Sequence, residues 1–412
     1  MSAKSSRNSI ASSLIGNVLE WYDFAIYGYF ASAIGLAFFP ESDPSVQVLM
    51  AFSIFAIGYL MRPIGGALFG HIGDKYGRKL ALNISVAAMA IPTFLVSILP
   101  DYNAWGIWAT YILILLRLIQ GLSVGGEFTT SIIYLVTHAP KGKKALMGAL
   151  ATCGAVGGVL LGSLTGDLMH HLMSEDMIND WGWRVPFLFG LIIGLVGFLM
   201  RRHMIDDVPS TPKKLPILEV FQNHRPVLFN ISGLAVLNAV GFYLIFVYLV
   251  GWFKIVDHLS PSQALDINSI SMILFVIIIC IAGYLSDKVG AKNIMKIATV
   301  GVFIFSIPLF NLMNHHNEQY ILLGQLGFAI LLGSYFGGLN LILVLSTPAH
   351  IRCTLIAVGY NLTLGVVGGL TPLAAAWLLD KTENPISPAY MLMFACFITL
   401  IALFKNNYKE HY

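Results

Sequence analysis

The sequence predicts an all-α membrane protein of twelve transmembrane helices in two pseudo-symmetric six-helix bundles, and three observations carry that expectation. Of its 412 residues, 57% are hydrophobic and only 11% charged, with a mean hydropathy of +0.76. A water-soluble chain of that composition would have too little polar surface to cover itself. Apolar runs near the roughly 20 residues that cross a bilayer cover about 10–38, 46–70, 80–100, 105–136, 144–168, 184–201, 227–252, 264–286, 293–314, 320–347, 353–379 and 387–405. The polar gap Gly70-His-Ile-Gly-Asp74-Lys-Tyr-Gly77 after the second run also returns, as Gly283-Tyr-Leu-Ser-Asp287-Lys-Val-Gly290 after the eighth, with Gly, Asp and Gly in the same register. Such an echo is the mark of a duplicated helical unit.

Taken in order, the first run is long, carries internal charge and has no small-residue cleavage site, so it reads as a retained helix and not as a removed leader. The second holds Arg62-Pro63 toward its cytoplasmic end. The fourth and fifth carry Gly121, Gly125 and Gly126, then Gly154, Gly157, Gly158, Gly162 and Gly166, small-residue patterns that let helices approach closely. The longest polar connection follows the sixth run and contains Pro209, Pro212, Pro216 and Pro226. It divides the chain into an N-terminal bundle at 1–200, a cytoplasmic linker at 201–226 and a C-terminal bundle at 227–412. Within it, Leu215–Phe221 reads as a short amphipathic helix or as a plain tether. In the eleventh run Gly365, Gly368 and Gly369 precede Thr371-Pro372, an expected kink.

Orientation follows from the basic residues. With the N-terminus inside, every Lys and Arg lies in a cytoplasmic segment except Arg184, Lys254 and Lys381 outside and Arg62 and Arg117 within spans. Both termini are therefore expected in the cytoplasm, and the net charge of +3 reports topology without marking a nucleic-acid surface.

Charges inside the membrane are the informative residues, since each costs several kcal/mol unless paired or hydrated. At 100° per residue, Glu20, Asp23 and Tyr27 of the first run share an arc of about 60°, with Asn17 one turn earlier. In the fourth run Arg117, Gln120 and Glu127 share about 80°. One reading is that these groups merely pair to hold helices together. The other is that a carboxylate beside an arginine binds and releases a proton as its access changes. On this second reading Glu20, Asp23, Arg117 and Glu127 serve proton coupling, with Glu20 or Asp23 the carrier and Arg117 tuning it or holding an anionic substrate group.

Other chemistry is not expected. Cys153, Cys280, Cys353 and Cys396 are far apart in sequence and read as small apolar fillers. The pairs His170-His171 and His315-His316 lack companion ligands at a metal spacing, so neither metal nor cofactor is anticipated. No nucleophile elbow, zincin helix, phosphate loop or dinucleotide fingerprint is present to suggest an enzyme.

Several motifs together carry a family resemblance. Gly70–Lys79 resembles the signature loop of the major facilitator superfamily, and Arg117-x-x-Gln120-Gly121 its fourth-helix motif. The runs Gly16-Asn17-x-x-Glu20-Trp21-Tyr22-Asp23-Phe24, Phe39-Pro40 with Asp43-Pro-Ser-Val-Gln47, and Arg62-Pro63-x-Gly65-Gly66 resemble its metabolite:proton symporter branch. So do Ser123-Val-Gly-Gly-Glu127, Trp181-Gly-Trp-Arg184-x-Pro186-Phe187 and Gly369-x-Thr371-Pro372. That branch includes bacterial proline/betaine, α-ketoglutarate, citrate and shikimate carriers. The resemblance runs from about residue 8 to 405 and implies a monomeric carrier of the bacterial inner membrane, with a cavity lined by spans 1, 4, 7 and 10. It implies a cytoplasmic gate of Gly70, Asp74, Gly77, Arg78 and Asp287, with Asp74 near the start of span eleven, where a helix N-terminus favours negative charge. The second loop ends Gly290-Ala-Lys-Asn293 in place of the usual arginines, so a weaker latch is expected there. The chain stops at Tyr412, so osmotic activation through a long charged C-terminal helix is not expected.

For the substrate, Asp43–Gln47 and Gly369–Trp377 resemble the proline/betaine members more than the dicarboxylate ones. Tyr243, Tyr335 and Tyr360, with Asn361, in the C-terminal half suit an ammonium by cation–π attraction, joining Asn17, Tyr27 and Gln120 as expected cavity residues. Tyr248 is a further aromatic side chain suited to that contact. A zwitterion such as proline or glycine betaine is the expected solute. An organic acid of the α-ketoglutarate, citrate or shikimate kind is the alternative, and a solute sensor that transports nothing a more distant one.

Overall fold

The computed structural model describes residues 3–201, 216–257, 259–315 and 317–406, and among them the chain is helical without a strand. The first span is α1 (Ala3–Tyr29) and α2 (Ala31–Phe38), the second α3 (Pro44–Leu60) and α4 (Arg62–Tyr76), the third α5 (Arg78–Ile98). After the short α6 (Tyr102–Trp105) come α7 (Ile107–Thr137) and α8 (Lys144–Leu172), then the short α9 (Glu175–Asp180) and the sixth span α10 (Val185–Arg201). A short helix α11 (Pro216–Asn223) precedes the second half, so the amphipathic reading of that connection holds. There α12 (Arg225–Phe242), a π turn at Tyr243–Tyr248 and α13 (Leu249–Val256) make one span, followed by α14 (Pro261–Val289), α15 (Ala291–Met313) and α16 (Glu318–Leu345). The last two spans are α17 (Arg352–Leu362) continued through the π turn Thr363–Gly368 into α18 (Gly369–Thr382), and α19 (Ser387–Lys405). Among the described residues, eleven helical spans are long and apolar enough to cross a membrane. The first completes the twelve-helix fold with a polar face, because Asn17, Glu20 and Asp23 interrupt its apolar run and all three are buried.

The breaks have local causes. Pro63 in the first turn of α4 has no N–H to continue the helix, and the ladder closes early with Met61 N–H on Gly58 O at 3.1 Å. Pro372 likewise withholds the bond that would reach Gly368, and the wide turn Thr363–Gly368 lies just before it, a common way of absorbing a proline inside a span. In the seventh span the loosened carbonyls of Ile245 and Phe246 accept from Gln325 Nε2 at 3.2 Å and Asn268 Nδ2 at 3.3 Å, and these two amides bond each other at 3.0 Å. Buried backbone without water needs such partners, which accounts for Asn268 and Gln325 in otherwise apolar helices.

The duplication is visible in the backbone. Gly77, between α4 and α5, has φ 103°, and Gly290, between α14 and α15, has φ 98°, a region open to glycine and strained for other residues.

The chain divides into two compact units, Met1–Tyr134 with Gly154–Ile217, and Leu135–Cys153 with Leu218–Tyr412. This differs from the division expected from the linker, because the turn from α7 into α8 belongs with the second unit. Asp287 is the reason: its carboxylate accepts the N–H groups of Ala145 and Leu146 at 2.8 and 2.9 Å, in the first turn of α8. Asn340 adds bonds to Gly148 O at 2.7 Å and Thr152 Oγ1 at 3.0 Å. Thus Asp287 holds a helix N-terminus firmly without the arginines whose absence suggested a weak latch.

In the first unit an aromatic core of Tyr22, Tyr27, Phe30, Phe38, Trp183 and Phe187 is fully buried, while Leu60, Trp108 and Leu164 face outward at 69%, 67% and 65% exposure. Apolar side chains on both faces are what a lipid solvent selects. Glycines let the second span, α3 and α4, meet α7 backbone to backbone: a Cβ on Gly125 would overlap Arg62 O of α4, and one on Gly121 would overlap Gly58 O of α3. On α8, Gly154, Gly158 and Gly162 lie against Leu14, Val18 and Ala25 of α1, whereas Gly157 and, on α18, Gly369 face open space.

Two expectations change. Arg201, placed by sequence in the cytoplasmic linker, is fully buried, because it neutralises a buried glutamate. Cys153 and Cys280 are not isolated fillers, since their Sγ atoms lie 3.3 Å apart in the second unit; Cys353 and Cys396 are buried. His170 and His171 cap carbonyls of their own helix, Gly166 O and Asp167 O, both at 2.9 Å. His315 accepts the Asn317 N–H at 3.0 Å, and His316 lies outside the described residues.

Thiols in contact need to close only to the roughly 2.05 Å of a disulfide. Copper-phenanthroline treatment is expected to join Cys153 to Cys280, seen by mass spectrometry of a digest as a linked peptide absent from Cys153→Ser. Linkage through Cys353 or Cys396 instead would contradict this packing.

Candidate functional site: a buried charge network in the first unit

Among the described residues, every buried charged side chain belongs to the first unit: Glu20, Asp23, Arg62, Asp74, Arg117, Glu127 and Arg201. The buried polar groups of the second unit are amides and hydroxyls, such as Asn238, Gln325, Asn340 and Asn361. Apart from Asp74, near the end of α4, the charges form three groups.

The first centres on Asp23. Its Oδ2 accepts from Arg117 Nη1 at 2.7 Å, and its Oδ1 lies 2.9 Å from Gln120 Nε2 and 2.8 Å from the Thr93 hydroxyl. Gln120 also donates to Thr93 Oγ1 at 2.9 Å. Helix periodicity places Arg117 and Gln120 one turn apart on α7, so both reach the same carboxylate on α1. The Arg117 guanidinium lies 3.9 Å from the centroid of the Tyr27 ring, and the Tyr27 hydroxyl donates to Ala51 O at 3.0 Å. Arg117 Nε and Nη2 have no hydrogen-bond acceptor among the described residues. Thr93 was not anticipated: a lone threonine in an apolar helix gives no sequence signal of its own.

The second group is Glu127 with Arg201, Ser85 and the carbonyl of Leu82, all within hydrogen-bonding contact. Although Glu127 shares a helix face with Arg117, it lies nearly three turns further on and takes its counter-charge from the end of α10. The pair presses on α1, where a Cβ on Gly16 would overlap both the Glu127 carboxylate and the Arg201 guanidinium. Asn17 beside it donates to Ser131 Oγ at 2.8 Å.

Glu20 is the third. It is 1% exposed, and neither carboxylate oxygen has a hydrogen-bond partner among the described residues. The charges that act on it are Arg62, attractively, and Glu127, repulsively. Arg62 lies over the Tyr59 ring at 4.8 Å and near Trp21 at 5.8 Å. Sequence position alone did not distinguish Glu20 from Asp23; the structure separates them by their partners.

Two of the expected residues of the second unit are held by backbone carbonyls. Tyr335 is fully buried and its hydroxyl donates to Leu234 O at 2.5 Å. Asn361 bonds Ala357 O of its own helix at 2.8 Å. Tyr360 is buried, and Tyr243 is half-buried at the start of the π turn, where a Cβ on Gly368 would come within 2.8 Å of its ring. Of the loop residues, Gly70 and Asp74 are buried, Gly77 takes the left-handed backbone, Arg78 is half-buried, and Asp287 caps α8.

Overpacking typically costs about 1–3 kcal/mol, and at Gly16 the obstruction is an ion pair. Gly16→Ala is expected to lower the melting temperature of the purified protein by several degrees, whereas Gly28→Ala, whose Cβ meets nothing within 4 Å, leaves it unchanged. Equal effects at both positions would mean that Gly16 does not seat the Glu127–Arg201 pair.

Known proteins share both the sequence and the fold. The chain is 33% identical to the proline/betaine transporter of Escherichia coli (strain K12), over 96% of this chain and 82% of the relative. It is 34% identical, over the same shares, to a glycine betaine/proline/ectoine/pipecolic acid transporter of Dickeya dadantii. Among solved structures, the proton:xylose symporter XylE bound to 6-bromo-6-deoxy-D-glucose superposes with a TM-score of 0.80 at 16% identity, over 98% of this chain and 95% of that one. The human organic anion transporter MFSD10 gives 0.72 at 12%, over 97% and 99%. With residues 11–372 matching the family model of that name, this multi-pass membrane protein belongs to the Major Facilitator Superfamily.

Proposed function

We propose that this chain is a proton-coupled symporter that imports a small zwitterionic solute such as proline or glycine betaine by alternating access. On this reading it works as a monomer in the bacterial cytoplasmic membrane, with both termini inside. The observation that carries the coupling is the unequal treatment of two carboxylates on one helix: Asp23 meets three donors, and Glu20 meets none. A buried carboxylate without donors is costly as an anion and much less so as a neutral acid. Glu20 is therefore the group whose charge state changes with access to water, and Asp23 is the fixed counter-charge of Arg117. The two open N–H groups of Arg117 suit the carboxylate that proline and glycine betaine share, a charge-assisted contact.

The relatives named above support the choice of solute. So does the absence of buried cationic side chains among the described residues of the second unit, where a carrier of di- or tricarboxylates would be expected to add positive charge. Asp74, Gly77 and Arg78, with Asp287 in the repeated loop, are assigned to the cytoplasmic gate.

In proteoliposomes with an imposed pH gradient, labelled glycine betaine or proline is expected to accumulate, and Glu20→Gln to abolish accumulation while leaving the melting temperature at or above wild type. Asp23→Asn strips Arg117 of its counter-charge, a loss of about 3–5 kcal/mol for a buried pair, so it should lower the melting temperature as well as transport. Gradient-driven uptake that survives neutral substitution of Glu20, Asp23 and Arg117 would end the proton assignment. Competition by citrate, α-ketoglutarate or shikimate but not by zwitterions would favour an organic acid, and binding without accumulation would mark a sensor.

A further inference from the structure

Away from the charge network, the polar end of the second unit brings together three side chains that the sequence keeps far apart. Glu219 lies on α11, His224 caps the start of α12, and His350 lies in the turn Ala349–Ile351 before α17. His350 Nε2 is 2.8 Å from Glu219 Oε1, and His224 Nε2 is 3.8 Å from the same oxygen. One donor atom from each lies within 4.8 Å of the others, with the imidazole rings edge to face at 6.2 Å between centroids.

We propose that Glu219, His224 and His350 bind a divalent transition-metal ion of the zinc class. Two imidazoles and a carboxylate are the donor set of three-ligand zinc sites, with water in the open fourth position, and they favour zinc, nickel or copper over calcium or magnesium. A tetrahedral ion with bonds of about 2.0–2.2 Å holds its donors roughly 3.3 Å apart, so the present spacings close around it by side-chain movements of about 1 Å. The donors are accessible, with side-chain exposures of 16% for Glu219, 23% for His224 and 44% for His350. The arginines next to the cluster in sequence contact backbone carbonyls. Arg225 Nε donates to Phe221 O, and Arg352 donates through Nε and Nη2 to Thr347 O at 3.3 and 2.9 Å. Because α11 ends the connection between the two units, a bound ion anchors that end onto the starts of α12 and α17.

The test is zinc titration of the full chain, purified without a polyhistidine tag, followed by calorimetry and by melting temperature with and without a chelator. One zinc per chain is expected, with a melting temperature that rises with zinc, as a ligand of the folded state requires. His224→Ala, His350→Ala and Glu219→Gln should each weaken affinity by more than about tenfold, the loss found even for outer-shell partners of metal ligands. His170→Ala and His315→Ala serve as controls and should change nothing. Visible absorption of the cobalt-substituted protein should show the tetrahedral pattern and lose it in His350→Ala. Zinc binding that is equal in all variants, or absent from a wild type that melts cooperatively, overturns the site and reduces the cluster to a hydrogen bond. Transport enters none of these readouts, so failure here is distinct from failure of the solute assignment.

Discussion

The ion pair between Asp23 and Arg117 sets the terms for the rest of the first unit. Two charges taken out of water cost several kcal/mol each, and their attraction offsets this only when the remaining hydrogen-bonding capacity is also met. The surroundings meet it for the Asp23 carboxylate and leave two Arg117 donors open. Gln120 and Thr93 occupy the second oxygen of Asp23, and the Tyr27 ring lies against the guanidinium. Three helices, α1, α5 and α7, are thereby fixed in register by one carboxylate. Glu127 and Arg201 repeat the arrangement for α7 and α10, with Ser85 of α5 as the added donor. A bundle whose apolar helices would slide freely against lipid-like neighbours is specified by where its charges must meet.

The glycines follow from the same constraint. Charges can pair across helices only if the backbones come close, and the second span, α3 and α4, approaches α7 because Gly58, Gly65, Gly121 and Gly125 leave no side chain between them. Gly16 serves differently: it leaves room on α1 for an ion pair to lie against the backbone. The second unit, without buried charges among its described residues, uses amides to satisfy the open carbonyls of its π turn. The two halves share a duplicated plan, visible in Gly77 and Gly290, yet they differ in what they bury.

The fold was legible because lipid as a solvent leaves little freedom: apolar length, basic loops and the repeated Gly–Asp–Gly loop each report the same architecture. The pairing within the site was only half legible. Periodicity puts Arg117, Gln120 and Glu127 on one face, and it is right about the face; it carries no information on which partner each will find nearly three turns apart. Arg201 reads as a linker residue because a basic residue at a helix end usually lies in a polar loop, and only a buried Glu127 tells that this one turns into the bundle. Thr93, the Cys153–Cys280 contact and the Glu219–His224–His350 cluster were invisible for a common reason. Each depends on long-range juxtaposition of residues that are unremarkable in their own helices.

If Glu20 carries the proton and Asp74 belongs to the gate, as proposed, helix α4 gives a reason why the two should be coupled. It runs for 15 residues from Arg62, at the break made by Pro63, to Tyr76, and so takes in most of the Gly70–Lys79 segment. Arg62 is the attractive charge acting on Glu20, and Asp74 lies on the same helix three turns away. A helix of that length moves as one piece, about 1.5 Å per residue and internally hydrogen-bonded throughout. Displacement of the loop therefore shifts Arg62 relative to Glu20, and the free energy of holding a proton on Glu20 changes with the position of the gate. By linkage the reverse must hold to the same extent: loading or discharging Glu20 biases where α4 rests. On this argument the coupling needs no relay of side chains, only one rigid helix with a gate residue near one end and the counter-charge of an unpartnered carboxylate at the other.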